Sequence, residues 1–224
     1  LAVAKKQGDK EFVAEWKELP MRIKAAFEEK FWLEEEGYVA DYVNYDEVNK
    51  FIRCNMVVAC GLDYRMLNDE QLVNTLQTVR QHLLTPRGLR TLSPRNMLYK
   101  SNYNEDQRSQ DLASRNGSAW VWPLMFYVKA CFDLGGASFA KEAEQLLEAF
   151  DDEIQTKCVG SIAERFEGDP PHNPRGGISH ATSVAGLLFI NDLVKKYALK
   201  KPARKACAKR AKTEEATVEK PKRK

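Results

Sequence analysis

The chain has 224 residues, of which 43% are hydrophobic and 30% charged, a balance that suits one folded domain with a tail and excludes wholesale disorder. No apolar run approaches the ~18 residues of a membrane span, which excludes an integral membrane protein. The net charge of +3 is uneven, because residues 198–224 carry eleven Lys and Arg against three Glu while the remainder carries 24 basic and 29 acidic groups, so the body has no surplus for binding a polyanion.

The first residues, Leu1-Ala2-Val3-Ala4-Lys5-Lys6, have neither an initiator Met nor a signal-peptide pattern and read as the end of a helix begun upstream, hence as a fragment. Phe12, Trp16, Leu19, Ile23 and Phe27 follow at three- to four-residue steps, as in one amphipathic helix. Only residues 38–45 alternate like a strand, and a short helix is expected over 53–60. The next helix carries Leu72, Leu76, Val79 and Leu83, with Asn68 at the N-cap and Gln71 as its capping-box partner. A third carries Leu124, Met125, Val128 and Phe132. A fourth carries Phe139, Ala143, Leu146, Leu147, Phe150 and Ile154, and a fifth Val184, Leu187, Leu188, Asn191 and Val194. The pattern predicts an all-α domain over 1–197. From residue 198 the Ala/Lys/Arg/Glu-rich tail reads as disordered, a solvated appendage or a non-specific polyanion arm. The tail has no aromatic residue for base stacking, which argues against a nucleic-acid partner.

Five cysteines (54, 60, 131, 158 and 207) are scattered without CxxC spacing, which favours reduced thiols in a cytoplasmic protein over disulfides or zinc. The three histidines show no ligand spacing, and neither GxxxxGK[ST], GxGxxG nor GxSxG occurs, so no metal, nucleotide cofactor or serine nucleophile is expected.

Two connections, 84–116 and 158–179, are too long for turns, and long loops in compact domains carry function. The second contains Glu164-Arg165-Phe166-Glu167-Gly168-Asp169-Pro170-Pro171-His172-Asn173-Pro174-Arg175. It can hold a carboxylate as a general base, or it can be a structural loop whose acids pair with Arg165 and Arg175. Both readings are open on residue types alone. The first connection ends at Asn116-Gly117-Ser118-Ala119-Trp120-Val121-Trp122-Pro123, where two indoles offer flat faces to sugar rings or fill the core. If the segment is helical, the two point about 200° apart. One is then expected in the wall and the other, Trp122, in the pocket.

Taken together, Thr85-Pro86, Gly88-Leu89-Arg90-Thr91-Leu92-Ser93-Pro94, Tyr99, Tyr103, Asp106-Gln107, Val121-Trp122-Pro123, Gly160-Ser161-Ile162-Ala163-Glu164 and Gly168-Asp169-Pro170-Pro171-His172-Asn173-Pro174-Arg175-Gly176 resemble the amylo-α-1,6-glucosidase part of glycogen debranching enzymes. The resemblance covers about residues 1–197. It implies the second half of a glucoamylase-like (α/α)6 barrel of the six-hairpin glycosidase type, and inverting hydrolysis of α-1,6-linked glucose at branch points of glycogen or limit dextrin. It also implies Glu164 as the general base, with Arg90, Trp120, Trp122, Asp169 and His172 binding substrate and no cofactor. An ionised base fits Arg165 or Arg175 nearby. The family's general acid falls upstream of Leu1. The chain departs from the family at Arg115-Asn116-Gly117-Ser118, at His180-Ala181-Thr182 and at Cys54-Asn55-Met56. Another inverting glycosidase on the same barrel, or a glucan-binding remnant without hydrolysis, is the competing reading.

Because the tail lacks apolar residues with which to dock, deleting residues 200–224 is expected to leave the melting temperature unchanged within error. A fall of several degrees in a thermal scan would show that it packs on the body.

Overall fold

The computed structural model describes residues 1–45, 47–102 and 106–198; Tyr103 and the basic tail from 199 lie outside the described residues. The chain opens with three helices, α1 (Ala2–Gln7), α2 (Lys10–Trp16) and α3 (Leu19–Phe31). One helix was expected from the spacing of Phe12 to Phe27, but it breaks at Lys17 and Glu18. Asp9 caps α2 through its side chain, and Pro20 sits in the first turn of α3, where its missing N–H costs nothing. That missing N–H also leaves Trp16 O without its i+4 donor, which helps to end α2.

Residues 38–45 do not form one strand. They divide between two hairpins, β1 (Trp32–Leu33) with β2 (Tyr38–Val39), and β3 (Tyr42–Asn44) with β4 (Glu47–Asn49). Between β2 and β3 the backbone is anchored twice, by Ala40 N–H to Phe31 O (2.8 Å) and Asp41 N–H to Asn49 O (3.0 Å).

Helices α4 (Met56–Gly61), α5 (Asp69–His82), α7 (Leu124–Gly135), α8 (Ala140–Glu148) and α9 (Ala181–Ala198) form the core, while α6 (Gln107–Asn116) lies at the sheet end. The capping box of α5 forms as its sequence predicts: Asn68 Oδ1 accepts from Gln71 N–H (2.9 Å) and Gln71 Oε1 from Asn68 N–H (3.1 Å). Helix α4 packs on α7, and both α7 and α8 pack on α9. Their apolar stripes put Val57, Leu72, Val79, Leu124, Val128 and Ile190 at zero exposure, each worth roughly 1.5–3 kcal/mol of burial. The expected fourth helix splits into a 3₁₀ turn (Gly136–Phe139), α8 and a π turn (Glu153–Lys157). Phe150 folds in between α8 and the π turn and meets Phe166 edge-on.

The two long connections are not irregular. They form a five-stranded antiparallel sheet in sequence order, from β5 (Leu84–Thr85), β6 (Gly88–Arg90), β7 (Ala119–Trp120), β8 (Arg165–Phe166) and β9 (Pro174–Arg175). Strands this short carry no readable alternation, so the sheet is invisible to periodicity. The architecture remains mostly helical, of the six-hairpin glycosidase type, and no closed barrel forms among the described residues. No described helix is long and apolar enough to cross a membrane.

Replacing Asn68 with Ala removes one half of a reciprocal cap and is expected to cost about 1 kcal/mol, read as a lower urea midpoint with an unchanged slope.

Candidate functional site

Strand register brings the expected residues to one end of the helical layers. Leu89, Trp120, Arg165 and Arg175 stand in one row across β6 to β9, and Arg90, Ala119, Phe166 and Pro174 in the next. Beyond β8 and β9 the ladder continues irregularly, through Glu164 N–H to Gly177 O and Glu167 N–H to Asn173 O, both 2.9 Å. The loop 168–172 is thereby the tip of a hairpin.

Three carboxylates lie within six residues of this hairpin, and each has a different environment. Glu164 keeps 21% side-chain exposure. Its Oε2 accepts from Gly177 N–H (3.0 Å) and faces Arg165 Nη2 at 3.3 Å. Its Oε1 has no protein partner among the described residues. Gly176, at φ +74°, makes room for it: a Cβ there would stand 2.2 Å from Oε2. Glu167 is saturated instead. Arg175 donates to its Oε1 through Nε (3.0 Å) and Nη2 (2.7 Å), and Asn173 donates to Oε2 (2.8 Å). At 7% side-chain exposure such a paired, hydrogen-bonded carboxylate holds the hairpin together. Of the two arginines expected beside the base, only Arg165 is there, since Arg175 is committed to Glu167.

Asp169 is nearly half exposed. Its Oδ1 accepts from Tyr99 Oη (2.8 Å), with Arg90 Nη2 at 3.8 Å, and Arg90 Nε donates to Gly168 O (2.8 Å). Burial and the bond to Asp169 push the Tyr99 phenol up to about 12, so it remains a donor at neutral pH. His172 sits at φ 58°, its Nδ1 2.9 Å from Glu167 O and its N–H on Asp169 O. Arg90, Asp169 and His172 thus form a connected shell around the hairpin tip.

A cleft of about 460 Å³ opens beside this shell. Arg53, Cys54 and Asn55 line one part, and Thr91, Ser114 and Arg115 another, with Trp120 and Trp122. The expected division of the two indoles, one in the wall and one in the pocket, is not found: both line the cleft. Residues 119–120 are strand, and the helix begins only at Leu124, so the 200° relation does not apply. The indoles still differ. Trp120 donates Nε1–H to Ser114 O (3.1 Å) and carries the Arg165 guanidinium 4.9 Å from its ring centroid, a cation–π contact. Trp122 meets Phe126 edge-on at 6.2 Å. Arg165 also donates to Ser114 Oγ, so one guanidinium connects Glu164 to the cleft wall. Glu164, Arg90, Asp169 and His172 are not themselves among the cleft-lining residues, and no Asp or Glu is.

The residues at Cys54 and Asn55, identified in the sequence only as a departure from the family, turn out to line this cleft. Arg53, which joins them, had no sequence signal beyond its place at the start of a short helix. The Cys54 thiol beside them is buried and pushed up to about 12 by burial, so it is no nucleophile at neutral pH.

A family model described as amylo-alpha-1,6-glucosidase matches residues 1–189. Among solved structures, neutral trehalase Nth1 from Saccharomyces cerevisiae is similar at a TM-score of 0.51 and 16% identity, over 82% of this chain and 32% of that one. The chain therefore spans about a third of that trehalase's length, and a likeness at this identity concerns the fold alone. No curated protein matches the chain.

Replacing Gly176 with Ala places a Cβ on the Glu164 carboxylate in a backbone conformation that costs L residues about 1–2 kcal/mol. The expected result is a lower unfolding midpoint together with faster hydrogen exchange at the Gly177 amide, as the displaced carboxylate releases it.

Proposed function

We propose, for a chain that belongs to the amylo-alpha-1,6-glucosidase family, that it forms part of an inverting glucosidase acting on α-1,6-linked glucose at the branch points of glycogen or limit dextrin, with Glu164 as general base. The observation that carries this reading is the state of the Glu164 carboxylate: Oε2 is held by the Gly177 amide and Arg165, while Oε1 is unpartnered among the described residues and the side chain keeps 21% exposure. A base must be fixed in direction yet keep one oxygen open to a water. Glu167 has both oxygens occupied. Asp169 stands half in solvent on the Tyr99 side of the hairpin.

In the proposed reaction a terminal glucose enters the cleft with its C–H face against Trp120 or Trp122, which suits an aromatic wall. Arg165 holds Glu164, and Arg90, Asp169 and His172 keep the hairpin tip in place or meet the sugar beyond it. Glu164 Oε1 takes a proton from a water as that water attacks the anomeric carbon. A second carboxylic acid, roughly 6.5–9.5 Å away, gives its proton to the glycosidic oxygen. As the sequence resemblance implies, that acid is proposed to lie upstream of Leu1. Residues 1–197 are taken as one barrel portion. The aliphatic and aromatic side chains left exposed on α2, α3 and α9, such as Trp16, Ile23 and Leu188, are consistent with further helices packing there. A branched α-glucan is the proposed partner.

The test is Glu164→Gln in the protein with its complete barrel, using limit dextrin. Turnover is expected to fall by about 10²–10⁴-fold while dextrin binding is kept, and the wild-type product is expected as the β-anomer by NMR. Near-normal turnover in Glu164→Gln with loss in Asp169→Asn would move the base to Asp169.

A further inference from the structure

Part of the cleft lining is a short segment, Arg53 to Asn55, whose backbone is bridged to Leu92 but whose side chains are left to other groups to orient. Cys54 and Asn55 precede α4, whose N-cap residue Asn55 makes no side-chain cap, and Asn55 is exposed. A flexible amide and a long guanidinium make a poor binding wall unless something outside the segment orients them. Asp41, twelve and fourteen residues earlier in the chain, meets both. Its Oδ1 accepts from Asn55 Nδ2 at 2.8 Å, and its Oδ2 faces Arg53 Nε at 3.4 Å.

Asp41 is itself fixed. Its side chain is only 7% exposed, and its backbone N–H bonds Asn49 O between the two N-terminal hairpins. Arg53 extends the network to the far side, with Nη1 donating to Arg115 O (2.7 Å) and Nη2 to Asn116 Oδ1 (2.8 Å). Two of the five guanidinium N–H groups donate hydrogen bonds and Nε faces Asp41, which leaves two for a ligand. Asn55 keeps its second amide hydrogen and its carbonyl oxygen. A donor–donor–acceptor set in the same cleft as two indoles matches the hydroxyl edge of a neutral sugar, and the carboxylate that organises it never has to touch that sugar.

We propose that Asp41 is a positioning residue for a monosaccharide-binding wall made by Arg53 and Asn55, which deepens, and rests on, the glucosidase reading of the same cleft. The reach is across the sequence: a turn between two small hairpins, more than a hundred residues before Glu164, sets the affinity for the sugar. Because the wall binds substrate and transition state alike, its loss appears in KM and not in kcat.

The experiment compares the complete protein with its Asp41→Asn and Asn55→Ala variants, using panose as an α-1,6-linked probe, by steady-state kinetics and by calorimetric titration. Asp41→Asn presents a donor to a donor and is expected to raise KM about tenfold, the scale of one lost charge-assisted hydrogen bond, with kcat within about twofold. Asn55→Ala, at an exposed position, leaves folding intact and is expected to raise KM in the same direction. A merely structural role for Asp41 would lower the melting temperature and the active fraction and leave KM alone. If Asp41→Asn fails to fold, Asn55→Ala decides: a wild-type KM there overturns the proposal, and a raised one supports it. If both variants fold and bind panose as the wild type does, the positioning role is wrong and the glucosidase reading stands. If the wild type neither binds nor cleaves panose or limit dextrin, the glucosidase reading falls, and the role of Asp41 in sugar binding falls with it.

Discussion

Backbone packed directly on backbone at Gly117 and Gly168 is the constraint on which the site end depends. A Cβ on Gly168 would stand 2.2 Å from Gly117 O, and one on Gly117 would stand 1.9 Å from Lys100 O. Three segments distant in sequence are stacked there, backbone against backbone, with only the Tyr99 phenol beside Gly168. That closeness lets Gly117 N–H reach Thr91 Oγ1 (2.9 Å), Arg90 reach Gly168 O and Tyr99 reach Asp169. It also sets β7 against β6 and β8 so that Trp120 and Arg165 share a row. A methyl group at either glycine would separate the layers, and the ladder that orients Glu164 would lose its register.

The helical layers hold this sheet by one edge in particular. Arg87, in the turn between β5 and β6, lies against the rings of Phe150 and Phe166 at 5.7 and 5.6 Å and forks onto Asp152 with two 2.7 Å bonds. Its other nitrogen donates to Ala149 O at the end of α8. One guanidinium therefore satisfies a helix-terminal carbonyl, a carboxylate and two aromatic faces at once, a use that a lysine's point charge does not match. The burial of Phe150 and Phe166 beneath it excludes water from the side of the sheet away from the cleft.

Charge around the hairpin is partitioned by geometry rather than by composition. Arg165 and Arg175 are neighbours across β8 and β9, yet one serves Glu164 and the other Glu167, because the two glutamates lie on opposite sides of that row along the hairpin. The consequence is one saturated acid that locks the hairpin and one acid with a single oxygen partnered among the described residues. The same economy appears at the cleft lining, where Asp41 spends both oxygens on orienting Arg53 and Asn55.

The sequence by itself determined the helices whose signals are local. Helix α5 was legible down to the Asn68–Gln71 capping box, and the stripes of α7 and α9 were legible because a 3.6-residue period over three or more turns needs no partner to be recognised. The family was legible too, since its motifs sit at the loop positions that build the sheet, and so were the places where chemistry had to be sought. The division of the fourth helix around Phe150 and the five strands of two or three residues were decided by tertiary structure. Each depends on which distant segment is at hand to accept a hydrogen bond or an aromatic ring. The wall formed by Arg53 and Asn55 with Asp41 was out of reach for the same reason. Nothing in their spacing of two, twelve and fourteen residues marks an interaction, and only the fold of two hairpins brings that carboxylate to Arg53 and Asn55.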